Sequence, residues 1–241
     1  MKKRLSKYIT LLIFILVTYS QFNQIKASIN YYSTSYPVSY PTSYPESNPI
    51  IPPTSYPISS SLSVNYIFSR GWNQINLPGS VAGVLTSTDL YKFLSSKGAK
   101  IKYVTNFTNS TFQTIAYDDN GTNYGTEFNI SINKGLLIYF IDPLTTTINV
   151  LTDPLYKTTQ LASGWNLVGF SALNPSDTSY ILFSNLAAQN ININNLSIIS
   201  NGVFQTVISN DSQLYGNNYP LNYSASYFID VTSGAGSFVS N

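Results

Sequence analysis

An internal duplication restricts this chain more than any single motif does: residues 67–151 and 160–239 read as two copies of one unit. Gly71-Trp72-Asn73 recurs as Gly164-Trp165-Asn166, and Phe112-Gln113-Thr114 recurs as Phe204-Gln205-Thr206. Tyr139-Phe140-Ile141-Asp142 recurs as Tyr227-Phe228-Ile229-Asp230. The pairs Trp72/Trp165, Phe112/Phe204 and Tyr139/Tyr227 are 93, 92 and 88 residues apart, so three landmarks keep their order with small loop deletions between them. Such a duplication implies two similar modules in tandem, each with a modest core.

The expected organisation is a signal peptide over 1–27, a Ser-Tyr-Pro-rich extended linker over 28–62, and β-rich modules over 63–157 and 158–241. The leader is basic up to Tyr8, and Ile9–Val17 is apolar apart from Thr10, short of the ~20 residues that span a bilayer. Retention as an uncleaved anchor is the rival reading. Residues 35–58 repeat a tetrad of the form Ser-Tyr-Pro-Val, with tyrosines at Tyr36, Tyr40, Tyr44 and Tyr56. Recurrent proline removes backbone donors and bars both helix and central strand. At ~3.1 Å per residue the segment makes a semi-rigid arm of about 75 Å. It is either a passive spacer or a row of rings that adheres to a wall polymer or a neighbouring subunit.

Within each copy, a strand opens the module, with Ile75 and Leu77 on one face in the first and Val168 and Phe170 at matching places in the second. A short amphipathic helix follows. Thr86 or Ser87 caps the first helix, whose apolar face is Leu90, Phe93 and Leu94 and which Gly98 ends. Ser176 or Asp177 caps the second, with Phe183, Leu186 and Ala187 on its face. Runs of β-branched and aromatic residues then predict strands, and Asn201-Gly202 predicts a hairpin. The fold class is therefore α+β, mostly antiparallel β: two tandem homologous small barrel- or sandwich-like modules, each with one short helix.

Charged residues are only 9% of the chain, against about 25% in ordinary soluble domains. Five of the 12 basic residues (Lys2, Lys3, Arg4, Lys7, Lys26) sit in the leader, and no Lys or Arg follows Lys157. With no basic stripe, nucleic-acid binding is not expected. The chain has no cysteine and no histidine. Disulfides are thereby excluded, together with the commonest metal ligand and the commonest general base. No nucleophile elbow or phosphate-cradling glycine loop occurs, so neither an enzyme nor a cofactor is expected.

Trp72 and Trp165 are the only tryptophans. Each is read as a plug in the core of its module, with a sugar-stacking platform as the alternative. Asp118-Asp119-Asn120-Gly121 with Glu127 is the densest acidic cluster. A calcium loop needs glycine at its sixth position, and Asn123 stands there, so a solvated turn is favoured over calcium binding or a glycosidase carboxylate pair. Asn-x-Ser/Thr acceptor sites occur at Asn106, Asn109, Asn120, Asn129, Asn195, Asn210 and Asn222, a number that this Asn- and Ser/Thr-rich composition produces by chance.

The Gly-Trp-Asn-hydrophobic-hydrophobic-Gly strand, the capped helix and the closing aromatic strand together resemble a β-rich module repeated in prokaryotic cell-surface and secreted proteins. Gly164-Trp165-Asn166-Leu167-Val168-Gly169 matches its opening strand, and Asn133-Lys134-Gly135 is similar to its Gly-Lys-Gly element. Tyr223-Ser224-Ala225 departs from that element. The resemblance covers residues 67–239 and implies a structural or adhesive role outside the cell. The expected function is that of a non-enzymatic secreted or cell-surface protein, an envelope, appendage or matrix component. A carbohydrate-binding accessory module and a secreted glycan hydrolase are the alternatives. Expected partners are an envelope polymer, a glycan or neighbouring subunits, with the membrane reached only through an uncleaved leader. The terminal segment Ser233–Val239 is read either as an edge strand that self-associates or as a frayed end.

Overall fold

The computed structural model describes residues 60–118, 120–152, 157–200, 202–210 and 213–240. The leader and the Tyr-Pro tetrads lie outside the described residues. Pro53–Asn241 form one compact unit that contains both copies.

The first half runs β1 (Ser60–Phe68), β2 (Gly71–Ile75), α1 (Ser87–Ser96), β3 (Ile101–Thr108), β4 (Thr111–Tyr117), β5 (Asn123–Gly125), β6 (Leu136–Phe140) and β7 (Leu144–Thr152). The second runs β8 (Thr158–Leu161), β9 (Gly164–Gly169), α2 (Ser179–Ala188), β10 (Asn192–Ser200), β11 (Val203–Asn210), β12 (Gln213–Tyr215), β13 (Ser226–Ser233) and β14 (Gly236–Val239). Strand order in the first five-stranded sheet is β2-β6-β3-β4-β5, and in the second β9-β13-β10-β11-β12. A two-stranded ribbon, β1-β7 or β8-β14, accompanies each. The strand pairs are antiparallel throughout. Element for element, the two halves share one strand order.

Neither sheet closes into a barrel: β2 and β5 are edges of the first, β9 and β12 of the second. The apolar face is covered from outside instead. Leu90 and Leu94 of α1 and Val64, Tyr66, Ile148 and Val150 of the ribbon share one core with Ile138 and Phe140 of the sheet. The second core gathers Leu182 and Leu186 of α2, Phe238 of β14, and Leu196 and Ile229 of the sheet. The ribbon strand β1 starts at Ser60, inside the segment read as linker to residue 62. Its alternation of exposed and buried residues is that of a half-buried strand.

Thr86 caps α1 in a capping box with Asp89, and Thr178 caps α2. Ser176 and Asp177 therefore lie before the second cap; the Asp177 carboxylate instead accepts from the Asn174 N–H at 2.8 Å. The buried face of α2 is Leu182, Phe183 and Leu186, with Ala187 exposed. The terminal strand is not frayed. It pairs with β8, buries Phe238, and at Val239 exchanges two 2.9 Å hydrogen bonds with the Gln189 carboxamide.

The strand pairing also corrects one repeat landmark. Trp72 faces Tyr139 on β6, whereas Trp165 faces Asp230 on β13. Across the sheet, Tyr103 pairs with Tyr139 and Asn195 with Asp230, each next to a register shift. Tyr139 therefore corresponds to Asp230, and Tyr227 to Leu136; the shared Tyr-Phe-Ile-Asp string is displaced by three residues. Register is decided by burial. Leu136, Ile138 and Phe140 point inward, as Tyr227, Ile229 and Val231 do.

Contacts between the halves obey a local twofold. The Gly169 N–H donates to the Asn133 carbonyl at 3.0 Å, and the Asn76 N–H donates to the Ser224 carbonyl at 2.8 Å. By the strand register, Gly169 corresponds to Asn76 and Asn133 to Ser224. A Cβ added at Gly135 would stand 2.6 Å from the Cβ of Ser226, its own counterpart. Residues that touch their own equivalents mark the axis of an isologous contact.

Candidate functional site

The Gly-Trp-Asn motif builds a turn, and the turn aims the tryptophan outward. Gly71 (φ +97°) and Gly164 (φ +81°) occupy the left-handed region that side chains disfavour. Two residues on, the Asn73 Nδ2 donates to the Ser69 and Gly71 carbonyls at 2.8 and 2.9 Å, and its Oδ1 accepts from the Ser69 N–H at 3.0 Å. Asn166 repeats all three bonds, to the Ala162 and Gly164 carbonyls at 2.7 and 2.8 Å and from the Ala162 N–H at 2.9 Å. Each carboxamide thus satisfies turn groups that would otherwise lack partners.

The tryptophans are not core plugs. Trp72 is 37% exposed and Trp165 44%. Strand parity sets Trp72 on the face opposite the buried Ile75; farther along that face Gln74 is covered by the second half through Ile199, whereas Trp72 stays open. On that face Trp72 stacks on Tyr103 (centroids 5.8 Å, planes 18° apart) and meets Tyr139 edge-on at 5.4 Å. Tyr103 and Tyr139 contact each other at 5.9 Å, and the Lys102 ammonium lies 5.5 Å from the Tyr103 centroid. The second half replaces both tyrosines by Asn195 and Asp230, so only the first carries this three-ring platform.

A second aromatic patch crosses between the halves. Phe228 meets Phe107, Phe112 and Trp165 at 6.0, 6.2 and 6.4 Å, all edge to face. Phe204, the sequence counterpart of Phe112, is 56% exposed. Beside this patch lies a cavity of about 380 Å³ bounded by Phe107, the β3–β4 turn, Lys134, the β8–β9 turn and Trp165.

The acidic residues serve the backbone. Asp118 Oδ1 accepts from the N–H groups of Asn120 and Thr122 at 3.0 and 2.8 Å, chiefly the latter holding its carboxyl below the usual range. Glu127 accepts from the Thr86 hydroxyl at 2.8 Å, and hydrogen bonds from Thr88 and then Thr86 lower its pKa. The two carboxylates thus have different partners, an arrangement suited to a turn and a helix cap. No group of three or more acidic residues able to hold a metal exists among the described residues. Of the sequon asparagines, Asn109, Asn120, Asn129, Asn210 and Asn222 are exposed, while Asn106 and Asn195 are half-buried. Among the described residues no helix is long and apolar enough to cross a membrane.

No family model, no curated protein and no solved structure matches the chain.

Proposed function

We propose that this chain is a non-enzymatic secreted or cell-surface protein, structural or adhesive, built from two homologous modules carried on a Tyr-Pro arm. The observation that supports the reading is the exposure of Trp72, Trp165, Phe112 and Phe204 on a surface with few charges. Large rings left in water mark contact surfaces, because their burial against a partner releases more free energy than that of any other side-chain class. The shared strand order of the halves supports their origin by duplication, and the likeness to repeated surface modules belongs to the same reading. Fractionation of the native cells with immunogold labelling tests it. Label on the envelope or in the medium is the expected result, and label confined to the cell interior overturns it.

The second reading, a carbohydrate-binding module, is favoured by the platform of Trp72, Tyr103 and Tyr139. Flat indole and phenol faces receive the C–H face of a pyranose, and the phenol hydroxyls bond its rim. A glycan array probed with the wild type and Trp72→Ala separates the two readings. Signal lost on substitution supports carbohydrate recognition, and the absence of any signal from the wild type removes it.

A further inference from the structure

We infer that the cavity between Trp165 and Lys134 is a binding site for a carboxylate-bearing saccharide. Its walls come from both halves: Phe107 and the β3–β4 turn (Thr108, Asn109, Ser110) on one side, Trp165 and the β8–β9 turn (Ala162, Ser163) on the other. At about 380 Å³ it falls within the ~300–1,000 Å³ of small-molecule sites.

Three features define the occupant. The first is an aromatic wall: the half-exposed indole of Trp165 stacks on apolar C–H surface, as a pyranose presents. A charge comes second. Lys134 is exposed and forms no ion pair among the described residues, and no carboxylate lines the cavity. The ligand must then bring the anion, and one ammonium balances one carboxylate. The third feature is a polar rim. The side chains of Thr108, Asn109, Ser110 and Ser163 carry no hydrogen bond within the described structure, which leaves hydroxyl and amide groups for a sugar's own hydroxyls.

The local twofold explains why the site is built once. Opposite it, Gln74 takes the place of Leu167 and Ala225 that of Lys134. The Gln74 Oε1 accepts from the Ile199 N–H, so this side chain ties the other sheet across the counterpart space. A stoichiometry of one ligand per chain follows. The inference extends the carbohydrate reading to a separate site and uses no residue of the Trp72 platform, so the two stand or fall separately.

The test uses the full chain made in a host without N-glycosylation, because Asn109 at the rim is a glycan acceptor. A Trp72→Phe background makes Trp165 the sole indole and removes the platform from the readout. Its fluorescence is titrated with uronate- and sialate-containing oligosaccharides and with their neutral counterparts. The expected result is saturable binding of at least one acidic oligosaccharide at one per chain, at least tenfold tighter than its neutral counterpart. Lys134→Gln weakens it about tenfold and abolishes the preference, Lys134→Arg retains it, and salt reduces it. Lys134 is solvent-exposed, so these variants fold even if Trp165→Ala does not. Equal affinity for acidic and neutral sugars, no saturable binding across the panel, or unchanged affinity in Lys134→Gln overturns the proposal.

Discussion

Gly169 lies against Asn76, the residue that holds its own place in the other half of the chain. Space at the axis admits one side chain, and the two halves have divided it between glycine and asparagine. Asn76 uses the room: its Nδ2 donates to the Tyr223 carbonyl at 2.8 Å and to that of Phe170 at 3.4 Å. A methyl at Gly169 overpacks the contact, so Gly169→Ala is expected to destabilise the protein by ~1–3 kcal/mol. Asn76→Gly alone loses hydrogen bonds worth about 1 kcal/mol each. In the double variant the overpacking disappears. Urea denaturation of the four proteins should therefore give a favourable coupling above ~0.5 kcal/mol; additive effects would show that the two residues do not share one space.

Acid should loosen the start of α1 first. Hydrogen bonds from the Thr86 side chain and then the Leu85 N–H hold the Asp89 carboxyl below the ordinary range, and Asp118 and Glu127 are lowered by their own donors. A depressed native pKa contributes stability that is present above the unfolded value and is lost as pH falls through the native one. Thermal stability should thus hold from neutrality to about pH 5 and decline below about pH 4. Asp89→Asn should lower the neutral-pH value and flatten the decline; an unchanged slope in that variant contradicts the account.

Alkali acts through buried phenols. Burial raises Tyr66, Tyr219 and Tyr227 far above the usual tyrosine range, Tyr66 with its hydroxyl 2.6 Å from the Asn76 carbonyl. The unfolded chain ionises these groups near pH 10, so stability must fall as pH rises past that point. Absorbance at the tyrosinate band should show a late step that coincides with loss of near-ultraviolet dichroism. A single smooth titration that is complete before unfolding would refute this.

Glycan acceptors should divide by exposure. In a host with the N-glycosylation machinery, Asn109, Asn120, Asn129, Asn210 and Asn222 are expected to be modified. Asn106, whose Oδ1 is buried, and Asn195, whose Oδ1 accepts from Ser197 at 2.6 Å, are expected to stay bare. Peptide mass spectrometry after enzymatic deglycosylation in oxygen-18 water reads the pattern, and occupancy at Asn106 or Asn195 would contradict it.

Much of the fold was legible because the repeat keeps what turns and cores require. Gly71 and Asn73 recur since the turn needs a left-handed residue and a carboxamide that closes it. The core reading of the tryptophans rested on their recurrence in both copies and failed; the parity that separates Trp72 from Ile75 is the signal that sets them on the other face. The Tyr-Phe-Ile-Asp string misled because sequence identity competes with register, and a strand obeys burial: Tyr227 fills the place of Leu136, with its hydroxyl hydrogen-bonded to the Asn222 backbone. The axis left no sequence signal at all. It rests on pairs such as Gly135 with Ser226, remote in sequence and ordinary in composition. The cavity at Trp165 was likewise hidden, since its walls meet only when the halves pack.

In the proposed function, exposed rings on the sheet faces make the contact with an extracellular partner. Co-sedimentation of the purified chain with the insoluble envelope polymer of the native cells tests this contact, for wild type, Trp72→Ala and Tyr103→Ala. Both side chains lie on the solvent face, so the variants should fold normally by circular dichroism. The wild type is expected to be retained, and each substitution to weaken retention at least fivefold, about 1 kcal/mol. Equal retention of all three folded proteins, or none of the wild type, would contradict it.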